Sequence, residues 1–302
     1  MNALMKFIVA LLLFVTFNDC FGQTANEYFD RGNAKFELKD YKGAIVDFTS
    51  VLAINPRYEN ALYNRETSKK ILNDFSGAIT DYTDVLAINP RNENAFYNRG
   101  FSKFSLQDYK GAIADYTAAL SINPQDAEAY FYRGNAKKTF GDLSGAIEDY
   151  GRAIILAPKE EEIYRNRGDA RYLQKDYAGA VTDFTMAIEL WPGYIAAYVY
   201  RGNSKAVLED FTGAINDYTK AIEMNPKLTE AYFYRGLLKV ILLDQKDSGC
   251  LDLSNAEALG DERAAKAKKE HCQSKVEPED SEEEASFGYQ TSIRTENYGR
   301  NK

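Results

Sequence analysis

Charged residues carry the first regularity in this chain. Arginine stands at Arg31, Arg65, Arg99, Arg133, Arg167, Arg201 and Arg235. A second base follows four residues later at Lys35, Lys69, Lys103, Lys137, Arg171, Lys205 and Lys239. Four residues apart on a helix means one turn apart on one face, so each pair of like charges repels unless an acid lies between them. Acids recur on the same 34-residue spacing at Asp47, Asp81, Asp115, Asp149, Asp183 and Asp217. The chemistry open to this set is an ion-pair ladder between helices, within a unit or between neighbouring units. Arg31, Arg99 and Arg133 with Asp47, Asp81 and Asp115 are its candidate members, and the planar fork of arginine suits partly buried pairing. Such a ladder is expected to set register more than net stability. The other reading of the basic stripe is a surface for an acidic ligand.

Catalytic chemistry has little to work with. His271 is the single histidine among 302 residues, so a His-based catalytic set or a His-rich metal site is not available. The glycines fall in recurrent positions, turns and the two ends, and none forms a phosphate-cradling loop. Carboxylates are numerous, but nothing separates a glycosidase-type pair from solvated helix surface. No metal and no cofactor is expected, and the chain reads as a non-enzyme. Its 37 basic against 45 acidic residues, a net charge of −8, leave no basic excess to bind phosphates, which excludes sequence-independent nucleic-acid binding.

The two ends differ from the middle. Residues 1–22 read as a secretory signal: Lys6, an apolar run over 7–17 too short to span a bilayer, then a polar stretch with small residues. Cleavage before Gln23 would leave a chain with no integral membrane segment, periplasmic or secreted. The alternatives are acylation at Cys20, for which Asp19 is the wrong preceding residue, and retention of the leader as a membrane anchor. Once the leader is removed, Cys250 and Cys272 are the remaining thiols, in a compartment that permits disulfides. Their midpoint falls at Asp261, where Gly260-Asp261 is expected to reverse the chain between antiparallel helices, so the pair is expected to bond.

Everything from 25 to 262 is a repeat of 34 residues: 25–58, 59–92, 93–126, 127–160, 161–194, 195–228 and 229–262. Each unit reads as two amphipathic helices joined by a short turn, with Pro56, Pro90, Pro124, Pro158, Pro192 and Pro226 ending the second helix. Numbering each unit from 1, an aromatic or Leu stands at 4 (Tyr28, Leu62, Phe96), Gly at 8 with Glu66 as the one exception, and Ala at 20. An aromatic stands at 24 (Phe48, Tyr82, Tyr116, Tyr150, Phe184, Tyr218). The seventh unit lacks the Gly-Ala pair and the Pro. There a helix over 251–259, a stop at Gly260 and a capping helix over 261–272 are expected, followed by an acidic, disordered tail over 273–302.

Those positions resemble the tetratricopeptide repeat (TPR) family, with Arg at 7 and a base at 11 where the family favours Leu and Tyr. The resemblance implies an all-α, TPR-like superhelical solenoid of about seven helix-turn-helix repeats plus a C-terminal capping helix. It also implies a concave face, lined by first helices, that binds a protein or peptide ligand. Positions 5 and 9 of that face give Phe29, Tyr63, Tyr97, Phe131 and Phe233 with Asn33, Asn135 and Asn203. Aromatics beside carboxamides offer an extended peptide apolar area and backbone partners. The function expected is an exported interaction scaffold. The alternative is a structural or assembly factor of the cell envelope.

Overall fold

The computed structural model describes residues 24–272; the leader with Cys20 and the acidic tail over 273–302 lie outside the described residues. Within them are fifteen α-helices and no strand, an all-α TPR-like solenoid, divided into two compact units after Pro158. The first unit holds α1 (Ala25–Glu37), α2 (Tyr41–Ile54), α3 (Glu59–Ile71), α4 (Phe75–Ile88), α5 (Glu93–Ser105), α6 (Tyr109–Ile122), α7 (Ala127–Phe140) and α8 (Leu143–Leu156). The second holds α9 (Glu161–Leu173), α10 (Tyr177–Leu190), α11 (Ile195–Val207), α12 (Phe211–Met224), α13 (Thr229–Ile241), α14 (Lys246–Ala258) and α15 (Glu262–His271). Helices pair in chain order, α1 with α2 and so on, and each first helix begins 34 residues after the last.

Local sequence explains the pairs. In every pair before α13/α14, the second helix starts at an aspartate whose carboxylate accepts from the backbone N–H three residues on. Asp40, Asp74, Asp108 and Asp142 do this in the first unit, Asp176 and Asp210 in the second, at 2.9–3.0 Å. A Cβ on the receiving residue (Gly43 in α2) would strike that carboxylate, so the Gly of the Gly-Ala pair seats the cap. The Ala after it is fully buried, as is the aromatic four residues on, in every pair from α1/α2 to α11/α12. That aromatic lies against the first helix where Gly stands: a Cβ at Gly134 would sit 2.8 Å from the Tyr150 ring.

The second unit ends differently from the sequence expectation. Its last second helix, α14, begins at Lys246, well before 251. Gly249 lies close against α13, where an added Cβ would come 2.9 Å from the Gly236 carbonyl oxygen. One extra residue in the preceding turn shifts the register, so Asp252 takes the ladder position and Leu251 faces solvent. The helix α15 then folds back on α13 and α14, with Ala264 and Ala267 against Phe233 and Leu253. Cys250 and Cys272 are joined in a disulfide.

Candidate functional site

Each first helix places its two bases on the aspartate of its own second helix. The Arg99 fork donates through Nε and Nη2 to the two Asp115 oxygens at 2.9 and 2.7 Å, and Lys103 reaches the same carboxylate at 2.7 Å. Arg31 and Lys35 on Asp47, Arg65 and Lys69 on Asp81, and Arg133 and Lys137 on Asp149 repeat this geometry. In the second unit Asp183, Asp217 and Asp252 are clasped alike. These carboxylates are at most 5% exposed. Hydrogen bonding from Arg31 holds the Asp47 carboxyl below the usual range, against the opposing effect of its burial. The remaining guanidinium nitrogen points to the preceding pair: Arg99 Nη1 donates to Thr83 at 3.1 Å and Arg133 Nη1 to Thr117 at 3.1 Å. Aromatics stack on the same guanidiniums, Phe96 on Arg99 and Tyr130 on Arg133. The fork is thus engaged on three sides by the protein itself.

In the first unit the neighbouring first helices meet along one face. Asn64 of α3 donates to Asn33 of α1 at 2.8 Å, Lys70 of α3 to Asn98 of α5, and Tyr97 of α5 to Glu128 of α7 at 3.1 Å. Phe29, Asn33, Tyr63 and Tyr97 lie on this face and are partly exposed. Burial pushes the Tyr63 and Tyr97 phenols up, so both remain neutral donors.

Four expected contact residues do different work. The Asn135 carboxamide oxygen accepts from the buried Tyr150 hydroxyl at 2.7 Å, and Asn203 accepts from Tyr218 at 2.7 Å. Asn203 is itself 3% exposed. These two asparagines spend their carboxamide oxygens on completing the hydrogen bonding of core phenols. Phe131 is buried against Tyr150, and Phe233 is buried beneath Arg263 of α15 at 4.4 Å.

The residue missed as a site feature is Glu66. It replaces the Gly found at its position elsewhere, is fully buried, and neither carboxyl oxygen has a hydrogen-bond partner. Burial, reinforced by Asp81, pushes its carboxyl up to about 10 against the pull of Lys70, Lys69 and Arg65. It is therefore a neutral acid at pH 7. The signal was present as the single break in the Gly column.

Helix pairs at this spacing, small residues under a second-helix aromatic and a closing helix decide the architecture. The fold is that of a TPR array. Models of the family match here, one described as TPR repeat over residues 102–139 and one as tetratricopeptide repeat over 131–195. No curated protein matches the chain in sequence. Among solved structures, the C-terminal part of a TPR repeat-containing protein from Cytophaga hutchinsonii is 19% identical. It covers 79% of this chain and 98% of its own, with a TM-score of 0.69. A MamA protein is 24% identical, covering 56% of this chain and 92% of its own at a TM-score of 0.54. YrrB, described as a TPR protein with an unusual peptide-binding site, is 21% identical, covering 61% and 95% at a TM-score of 0.56. No described helix is long and apolar enough to cross a membrane.

Proposed function

We propose that this TPR protein is an exported, non-enzymatic scaffold that binds a peptide or protein segment along the first-helix face. The observation that carries the reading is the row of partly exposed aromatic and carboxamide groups on α1, α3 and α5. Phe29, Tyr63 and Tyr97 give an extended chain apolar area, and Asn33 keeps amide hydrogens free to pair with its backbone while its oxygen receives Asn64. The peptide-binding site of YrrB, a protein of the same fold, supports this use of the architecture. Export rests on the leader reading of residues 1–22, and N-terminal sequencing that finds Gln23 first is its test.

The groove is tested with the full chain and an Asn33→Glu/Glu128→Arg variant, both changes on exposed or partly exposed positions of the face. Partners captured by the parent are expected to lose at least about tenfold in affinity through misplaced charge, at an unchanged melting temperature. Equal capture by both proteins places the partner elsewhere and overturns the reading.

A further inference from the structure

Three second-helix tyrosines occupy the same seat under their first helices. A Cβ on Gly100 would come 3.2 Å from Cε1 of Tyr116, one on Gly134 2.8 Å from that of Tyr150, and one on Gly202 2.9 Å from that of Tyr218. From that seat the Tyr150 hydroxyl donates to Asn135 and the Tyr218 hydroxyl to Asn203, both at 2.7 Å. Each asparagine is the ninth residue of its unit. Under α5 the ninth residue is Phe101, which has no acceptor to give. Tyr116 is fully buried, and its hydroxyl has no hydrogen-bond partner. Burial pushes the phenol up, so the oxygen keeps its proton. A buried donor left unpaired is costly. This one is aimed at the first-helix face from the seat in which two others are paired.

Aromatic rings surround the spot. Centre to centre, Tyr97 lies 5.8 Å from Tyr116 and 5.9 Å from Tyr132, and Phe101 lies 6.1 Å from Tyr132. Tyr97, Phe101 and Tyr132 are partly exposed. The polar side chains beside them are engaged with the protein. Tyr97 donates to Glu128 at 3.1 Å, Asn98 accepts from Lys70, and the Asn98 amide donates to the Asn94 carbonyl at 2.9 Å. The cluster thus presents apolar ring surface and one donor that needs an acceptor.

Most peptide residues bring an N–H along with their carbonyl, and that N–H would be desolvated among these rings. Proline brings a carbonyl and an apolar ring but no N–H. A polyproline II backbone has no internal hydrogen bonds and so leaves its carbonyls to be bonded. We propose that Tyr97, Phe101, Tyr116 and Tyr132 form a proline subsite of the first-helix groove, in which the Tyr116 hydroxyl donates to a carbonyl oxygen of a proline-rich segment. The hydroxyl is closed off in the free protein, so the segment reaches it by turning aside the partly exposed Phe101 ring.

The subsite rests on the groove reading, and its test titrates N-acetyl-decaproline amide into the full chain by calorimetry. Tyr116→Phe removes one oxygen and keeps the ring. It is expected to bind decaproline about three- to tenfold more weakly than the parent. Its melting temperature is expected to be no lower than the parent's, because it deletes an unpaired donor. Tyr150→Phe, which takes from Asn135 its donor, is expected to melt about 2–4 °C lower and to bind decaproline as the parent does. A glycine–serine decapeptide, with an N–H at every residue, is expected to bind the parent at least about tenfold more weakly than decaproline. Failure of the parent to bind decaproline, equal affinity of Tyr116→Phe, or equal affinity for the two peptides overturns the subsite. So does an equal melting loss in Tyr116→Phe and Tyr150→Phe, which would show the Tyr116 hydroxyl paired in the free protein. Should Tyr116→Phe not fold, Phe101→Asn supplies the missing acceptor from within and is expected to weaken decaproline as much. A partner lost by Asn33→Glu/Glu128→Arg but bound at full affinity by Tyr116→Phe ends this proposal and leaves the groove standing. A partner indifferent to both ends the groove reading itself.

Discussion

Two residues show how much a single polar group decides. Because the folded Glu66 carboxyl titrates near 10 and the unfolded one near 4.5, folding takes up a proton between those values. Stability contributed by the protonated acid is full below 4.5 and falls as pH rises, by about 1.4 kcal/mol per unit and by as much as ~3 kcal/mol at pH 7. Urea denaturation at pH 5, 7 and 9 is therefore expected to show the parent losing ground to Glu66→Gln as pH rises. Parallel curves would show that Glu66 is not held neutral. Asn203 gives the second case. Asn203→Ala leaves the buried Tyr218 hydroxyl without its acceptor and is expected to cost about 1–3 kcal/mol, while Asn33→Ala, on the open face, stays within ~0.5 kcal/mol. Equal thermal shifts for the two would return Asn203 to the surface. Their difference was readable in principle. Asn at position 9 meets a Tyr at 24 in the pairs of Asn135 and Asn203, but Phe48, which has no hydroxyl, in that of Asn33. A phenol under the helix claims the carboxamide oxygen; above a phenyl ring that oxygen turns to the neighbouring first helix, as Asn33 accepts from Asn64.

At the scale of helices, the pairs and their stops were legible because each is written by short-range chemistry that recurs. From α2 to α12 an Asp before each second helix caps it, Gly at the third position admits the cap, and Pro follows its last turn. Which arginine meets which aspartate was not legible, since pairing within a unit and between units uses the same spacing. The structure selects the pairing within a unit and gives Thr the neighbour's role. Reversing Asp115 to Lys is expected to cost about 3–5 kcal/mol, by breaking a buried pair. Arg99→Glu should recover part of that loss, whereas Arg133→Glu, which breaks its own pair with Asp149, should add to it. Two additive cycles would mean the carboxylates are solvated after all. The first helices end with a different cost. Lys39, Asn73, Gln107, Lys175 and Glu209 adopt left-handed backbone at φ 61–67°, where Gly141 alone is at ease in the same column. The strain of about 1–2 kcal/mol exceeds the ~0.4–1 kcal/mol that glycine adds to unfolded-chain entropy. Gln107→Gly should thus stabilise by about 0.5–1 kcal/mol in chemical denaturation, and a loss would show the turn relaxed.

Across the whole molecule, a repeat array draws its stability from neighbour-to-neighbour interfaces, so its ends are its weak points. The second unit closes its end with α15, a helix of 10 residues and too short to persist alone in water. Three devices hold it. Asp261 accepts from the Arg263 backbone at the helix start, and its carboxylate fixes the Arg263 side chain at 2.7 Å. That guanidinium covers Phe233 at 4.4 Å and Tyr234 at 5.6 Å, sealing apolar surface that the next repeat would otherwise cover. The disulfide then ties α14 to the far end of α15 across a separation of 22 residues. Closing a loop of that size restricts the unfolded chain by about 3 kcal/mol in the chain-entropy model, roughly a hundredfold in the local opening equilibrium. In Cys250→Ser/Cys272→Ser, hydrogen exchange of α15 amides is therefore expected to accelerate by up to about a hundredfold. Amides of α1 to α8, in the other unit, should keep their rates, because nearest-neighbour coupling does not carry the loss that far. Full protection of α15 in the double variant would assign the cap to packing and Arg263 alone. Uniform acceleration throughout would instead mean that the array opens as one cooperative body, which the interface-by-interface account forbids.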